Sequence, residues 1–464
     1  MDPTLTQTRL PETTMPQTSM PQTTVPQTTM PGPAMLTDRY ELTMLSSWIA
    51  DGVQDRKAVF EAFGRRLPHG RRYGVVAGLG RLLPLLRDFR FAPAELAYLR
   101  DAGAITKACA DYLESWSFRG DVDAYREGDC YYAGSPILTV SGTLGDVLVE
   151  TLVLSILNFD SAIASAAARM VVAAEGRPII EMGSRRTHEQ SALAAARAAY
   201  LAGFTATSNL AAGYLYGIPT TGTAAHAFTM SYREERDAFA SQVRALGAGT
   251  SLLVDTYDTE QGIRTAVATA GTELGAIRID SGDDLGEEAR KARALLDGLG
   301  ATRTRILVTS DLDEYNIAAM ADAPVDGFGV GTRLVTGSRG GPNCGMVFKL
   351  VAVADSAAPD APLRPVEKKA KGKVSIGGRK IAYRVLDSVG HAVQERIVLR
   401  HVPDSGEAFP GRVLTIPVMR AGRIVHDPTL EEIRAFHAQA MAELPPGALE
   451  VADSSFGAHM AATL

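Results

Sequence analysis

Cysteine is scarce. The 464-residue chain has three, Cys109, Cys130 and Cys344, far apart and without a CxxC pair. That spacing excludes a disulfide framework and a cysteine zinc site, and free thiols imply a reducing compartment. A basic excess is also missing: 47 Lys and Arg stand against 53 Asp and Glu, a net charge of −6. Such a balance excludes a broadly cationic surface for nucleic acid or an anionic membrane, so an anionic ligand would need a local cationic pocket. No uninterrupted apolar run reaches the roughly 18 residues of a membrane span, and no basic stretch followed by an apolar one stands at the N-terminus. A cytoplasmic protein with no nucleic-acid and no membrane partner is the expectation.

What is present is an ordinary globular composition, 46% hydrophobic and 22% charged. The length favours two or three domains. Pro11, Pro16, Pro21, Pro26 and Pro31 recur every fifth residue among Thr and Met. Pro and Thr at this density cannot bury enough apolar surface to offset chain entropy, so 1–34 reads as a disordered tail. Residues 35–148 read as an α+β domain, with a helix around 42–48, a strand at 57–63, a helix from 79, and short strands separated by Gly128, Gly134 and Gly142.

Between 149 and 340 a Leu- and Ala-rich helix leads into short apolar runs at 178–183, 206–210, 218–222, 251–258, 276–283, 305–311 and 327–331. Most are followed by an alanine-rich helical stretch. Recurrence at β-α-β spacing calls for parallel strands with crossover helices, hence an α/β barrel, complete or missing a strand. Later strands are expected at 349–354, 380–386 and 412–418. The last two lie too far from the barrel series, so 341–464 is expected to return to the N-terminal domain and complete it with part of 345–440.

In a barrel the site is built at the carboxyl ends of the strands. Glu181-Met182-Gly183-Ser184-Arg185-Arg186 ends the first. Guanidinium groups there match phosphate or carboxylate with paired hydrogen bonds; the competing reading is a surface ion pair with Glu181 or Glu189. His226, after Thr221-Gly222-Thr223-Ala224-Ala225, is accessible as base, ligand or nucleophile, or is a satisfied polar residue. Asp255-Thr256-Tyr257-Asp258 and Arg278-Ile279-Asp280-Ser281-Gly282-Asp283 close two further strands. Alternation puts Arg278 and Asp280 on one face, a cation beside an anion that suits a phosphorylated polyol or, alternatively, forms a structural salt bridge. Gly327-Phe328-Gly329-Val330-Gly331-Thr332-Arg333 places glycines where backbone N–H groups can approach phosphate at a late barrel strand.

Taken in order, these segments resemble the nicotinate phosphoribosyltransferase family from Leu36 to about residue 440. Thr37-Asp38-Arg39-Tyr40-Glu41-Leu42-Thr43-Met44 is similar to the family's opening motif and Phe60-Glu61-Ala62-Phe63-Gly64-Arg65-Arg66-Leu67-Pro68 to its next. The strand-end motifs above follow in the family's order. The resemblance implies an incomplete α/β barrel of the type II phosphoribosyltransferase kind with an α+β domain. It also implies transfer of 5-phosphoribose from phosphoribosyl pyrophosphate to nicotinate, coupled to ATP, with Mg²⁺ assisting. The histidine matching His226 carries the phosphate of ATP in the family. Family members are homodimers with shared sites, and the tyrosine matching Tyr40 comes from the partner to stack on the pyridine ring.

Physical roles follow from that expectation. Arg185 and Arg278 would bind anions, Asp280 the ribose hydroxyls, and Gly331 with Thr332 the 5-phosphate. Asp255 would orient His226 through its other ring nitrogen. A related nicotinamide enzyme has a carboxylate near the position of Ser208, which would repel nicotinate, so Ser208 favours the acid. Met182 stands where that relative has an aromatic residue, sulfur contact replacing ring stacking. Arg186, Ser208 and Arg333 are the candidates for gripping the nicotinate carboxylate, and no residue set is assigned to a metal. The rival readings are a nicotinamide or quinolinate transferase, and a catalytically silent barrel that binds ribose phosphate.

Overall fold

The computed structural model describes residues 31–68, 70–369, 375–399 and 411–451. The proline repeat therefore lies almost wholly outside the described residues. Pro33–Leu36 forms a 3-10 turn that buries Ala34 completely, so the described fold begins inside the stretch read as tail.

One antiparallel sheet runs in the order Leu363–Pro365, Met346–Ala354, Lys57–Gly64, Leu138–Thr143, Asp121–Tyr125, Thr415–Arg420 and Arg423–Ile424. Strands from the N-terminal part are thus flanked on both sides by strands from beyond residue 340. Lys380–Leu386 instead pairs with Ala392–Leu399 and Arg412–Val413 in a separate small sheet. Leu430–Ala442 touches both parts: its Ile433 and Ala440 join the core cluster that contains the barrel strands, while His437 Nδ1 lies 2.8 Å from Gly128 O and Phe436 packs under the Arg126 guanidinium.

The second sheet is parallel, in the order Ala206–Thr207, Ile179–Glu181, Gly327–Val330, Arg305–Val308, Ala276–Ile279, Ser251–Leu253. Its two end strands do not pair with each other, which gives the expected incomplete α/β barrel. The run at 218–222 forms no full strand. It contributes a single bridge, Thr207 to Thr220, with Thr207 N–H donating to Pro219 O at 3.0 Å and Thr221 N–H to Thr207 O at 3.0 Å. Pro219 has no N–H to extend the ladder, and Pro219, Thr220 and Thr221 are exposed, so nothing rewards further pairing.

The helix Glu150–Ala173 separates the two cores. Leu152, Val153 and Leu157 join the N-terminal cluster, and Ala164, Ala167 and Ala168 join the barrel cluster. A helix buried on opposite flanks is apolar all round. The stretch Leu144–Ala173 is in fact long and apolar enough to cross a membrane, with mean hydropathy 1.7, yet 72% of that window is buried inside the protein. Asn158, Asp160 and Ser161 interrupt it, which hides its length from a search for unbroken apolar runs.

Glu41, wholly buried on the helix Arg39–Ala50, has no cationic partner among the described residues. It meets the Thr37 and Thr151 hydroxyls and, at 3.1 Å, the Thr151 N–H. Burial pushes its carboxyl up to about 7, with nearby Glu150 adding to the rise and the threonines opposing it. Because the folded value lies above the unfolded one, the protonated form supports the fold at low pH, and that support fades as pH rises through 7. Glu41→Gln is expected to remove a slope of up to about 3 kcal/mol between pH 4.5 and 8. Calorimetric melting of both proteins across that range checks it; parallel pH curves would rule the assignment out.

Candidate active site

Three strand ends converge. His226 opens the short helix His226–Met230 after the bridged segment, Asp255 and Thr256 follow Ser251–Leu253, and Arg278 with Asp280 lie in and just after Ala276–Ile279. His226 Nε2 stands 3.7 Å from Asp280 Oδ2 and 4.0 Å from Asp255 Oδ1. Its Nδ1 lies 3.2 Å from the Thr256 hydroxyl. Asp255 was expected to orient the ring, but the hydrogen-bonding neighbour is Thr256. The Asp255 carboxylate is occupied elsewhere, accepting from Asp280 N–H at 2.8 Å and from the Ser281 hydroxyl at 2.6 Å. Its other oxygen, Oδ1, is buried with no hydrogen-bond partner.

Arg278 and Asp280 face the same side, Nη2 to Oδ2 at 3.7 Å. The guanidinium also donates to the Thr223 hydroxyl and to Ala224 O at 3.2 Å, binding the segment that leads to His226. Its Nε is buried and unpartnered. Burial lowers the pKa of Arg278; Asp280 and Asp255 oppose that, while Arg185 adds to it. The Arg185 side chain is itself exposed. Asp280 Oδ1 accepts from the Thr309 hydroxyl, at the end of Arg305–Val308.

The turn Gly331–Thr332 sits beside the first strand end. Met182 N–H donates to Val330 O at 2.8 Å, and a methyl group on Gly329 would collide with Thr309 and the Met182 sulfur. Glycine is required there by close approach. Ser208 is exposed, its N–H donating to Glu181 O at 2.8 Å. Arg186 and Arg333 are exposed as well. Among the described residues neither Arg185 nor Arg186 pairs with Glu181 or Glu189, which disposes of the surface-pair alternative.

Tyr40 is not brought to this cluster within one chain. It is 45% exposed beside a cleft of about 330 Å³ lined by Thr151, Asn158 and Asn343, and burial together with Glu150 and Glu41 raises its hydroxyl pKa. Thr256, Thr223, Thr309 and Glu181 were not singled out as site residues. Each acts across strands, and only the runs of small polar residues at strand ends hinted at them. Among the described residues no group of three or more His, Cys, Asp or Glu is arranged to hold a metal ion by itself.

The arrangement offers a nucleophilic imidazole, two carboxylates and a cation at the mouth of an open barrel, a set suited to moving phosphorylated groups. Residues 35–158 match the family model of the nicotinate phosphoribosyltransferase (NAPRTase) N-terminal domain. A nicotinate phosphoribosyltransferase of Mycobacterium tuberculosis is 54% identical over 427 residues, covering 90% of this chain and 92% of that protein. One from Bacillus subtilis is 37% identical over 368 residues, covering 76% and 74%. Among solved structures, human nicotinic acid phosphoribosyltransferase superposes with a TM-score of 0.73 at 26% identity, covering 89% of this chain and 95% of that one. A nicotinate-nucleotide pyrophosphorylase from Pyrococcus furiosus shares the fold, with a TM-score of 0.71 at 23% identity over 88% and 95% of the two chains. With its strand-end cluster on that barrel and relatives matched over most of both lengths, the chain belongs to the nicotinate phosphoribosyltransferase family.

Proposed function

We propose that the protein transfers 5-phosphoribose from phosphoribosyl pyrophosphate to the ring nitrogen of nicotinate, forming nicotinate mononucleotide and pyrophosphate in cytoplasmic NAD salvage. The observation that carries the reading is the convergence of His226, Asp255, Arg278 and Asp280 within 4.0 Å steps at the barrel mouth. The bond that forms joins the pyridine nitrogen to ribose C1; the bond that breaks joins C1 to pyrophosphate, which leaves with the electron pair. Arg278 and Arg185 hold the anionic groups, Asp280 accepts from ribose hydroxyls, and the Gly331–Thr332 turn receives the 5-phosphate. Tyr40, which lines a separate cleft on its own chain, is donated to a partner's site in a homodimer, where it stacks on the base beside Met182.

ATP is the cosubstrate. With Nδ1 beside Thr256, Nε2 is the nitrogen free to take the γ-phosphate, forming an N–P bond as ADP leaves. Mg²⁺ fits here: the unpartnered Asp255 Oδ1 and Asp280 Oδ2 are hard oxygen donors, and this ion is held by one or two carboxylates plus substrate phosphates. When bound it supplies positive charge opposite the departing pyrophosphate.

Incubation with phosphoribosyl pyrophosphate, ATP, Mg²⁺ and each of nicotinate, nicotinamide and quinolinate tests the reading. Nicotinate is expected to be the preferred base; preference for either rival, or no turnover at all, overturns it. Ser208→Asp is expected to lower kcat/KM for nicotinate by about tenfold, a like-charge cost reduced by solvent at this exposed position. An unchanged ratio of nicotinate to nicotinamide turnover in that variant would remove Ser208 from the base pocket.

A further inference from the structure

Glu181 closes the strand Ile179–Glu181 with its side chain almost entirely buried. No cation pairs with it among the described residues. Its two carboxylate oxygens serve different loops: Oε1 accepts from Gly183 N–H and Oε2 from the Thr207 hydroxyl. Its own carbonyl accepts from Ser208 N–H at 2.8 Å. Thr207 Oγ1 in turn accepts from Asn209 N–H at 2.9 Å, and Asn209 Nδ2 donates back to the Ser184 hydroxyl at 3.0 Å. The result is a closed ring of hydrogen bonds joining the turn after Ile179–Glu181 to the turn after Ala206–Thr207. A third strand end leans on it, since a methyl group on Gly183 would collide with Val335, just past the Gly331–Thr332 turn.

A carboxyl group is a costly way to make such a ring. Burial raises its pKa, with Thr207 and Gly183 pulling the other way, and nothing offsets its charge. A neutral acceptor of the same size would hold one loop, but not both. Both donors point their protons inward, and a glutamine would turn an NH₂ toward one of them. Thr207 could respond only by turning its hydroxyl away, which leaves that proton without an acceptor while Oγ1 still serves Asn209.

We propose that Glu181 is a positioning residue for the pyridine base, fixing the Met182 and Ser208 turns in one relation so that both face a single ligand. The inference rests on the base-binding reading of those two residues given above. It does not concern the phosphoribosyl side of the cluster, where Arg278 and Asp280 are held by Thr223, Ala224 and Thr309.

The test is steady-state kinetics of the full chain with nicotinate and phosphoribosyl pyrophosphate varied separately, for wild type, Glu181→Gln, Thr207→Val and the double variant. Each single change is expected to raise KM for nicotinate about tenfold while KM for phosphoribosyl pyrophosphate and the labelling of His226 by ATP stay within about twofold. The double variant is expected to be no worse than either single one, because both break the same link. Equal changes in both Michaelis constants, a loss of melting temperature without a kinetic split, or additive effects would overturn the role. Should Glu181→Gln fail to fold, Thr207→Val, which keeps shape and charge, decides alone. Wild-type protein that does not use nicotinate would sink the proposed function instead, an outcome the variant comparison cannot imitate.

Discussion

Replacing His226 with alanine is expected to abolish labelling by γ-phosphate-labelled ATP and to remove ATP stimulation, leaving slow ATP-independent transfer. Stimulated turnover should fall by about 100-fold or more, the scale at which loss of a reacting imidazole is felt. The geometry supports a reacting role over a spectator one. The side chain is 37% exposed, so a phosphate donor can reach it, and one ring nitrogen is engaged by Thr256 while the other is open. Two carboxylates within 4.0 Å of Nε2 would repel a bound phosphoryl group unless a cation stands between them. Labelling should therefore require Mg²⁺, and chelation of the metal should abolish it in the wild type. The label should be acid-labile, as an N–P bond is. Thr256→Val supplies the intermediate case: the nucleophile remains but loses its orienting partner, so labelling should slow without vanishing. Unchanged labelling in His226→Ala would rule out the phosphate-carrying role whatever the turnover does.

The parts of this site that were legible in the sequence are those set along one strand. Alternation alone placed Arg278 and Asp280 on one side, and strand-end position alone made His226 a candidate. Parallel strands were legible too, because buried strands read as short apolar runs between alanine-rich helices. Relations between strands were not. Thr256 as the neighbour of His226, Thr309 on Asp280 and Thr207 on Glu181 each join segments tens of residues apart, and threonine at a strand end carries no distinctive pattern. Glu181 beside Arg185 and Arg186 invited an ion-pair reading. In the structure the strand turns its carboxylate inward and the arginines face solvent. The run at 218–222 looked like its neighbours because composition does not register the missing N–H of Pro219. Distance along the chain also says little about which core an apolar stripe will meet: Leu430–Ala442 meets the barrel cluster and the 126–130 segment alike.

Arg278→Gln is expected to raise KM for phosphoribosyl pyrophosphate far more than KM for nicotinate. Removing one member of a desolvated charge pair costs roughly 2–5 kcal/mol, or about 30-fold and upward in kcat/KM. The side chain is 13% exposed, and its buried Nε lacks a partner while Nη1 and Nη2 engage Thr223, Ala224 and Asp280. Burial lowers its pKa and nearby Arg185 lowers it further, so the site holds cationic charge that an arriving anion would stabilise. The same arginine also secures the segment before His226, so a general loosening could mimic a binding defect. Arg278→Lys separates the two: it keeps the charge but loses the planar fork that reaches Thr223 and Asp280 together. If anion binding dominates, Lys should recover part of the affinity for phosphoribosyl pyrophosphate that Gln loses. If the support of His226 dominates, Lys and Gln should be equally poor, ATP labelling should fall with turnover, and both Michaelis constants should move together. A rise confined to nicotinate would transfer Arg278 from the phosphoribosyl side of the cluster to the base pocket.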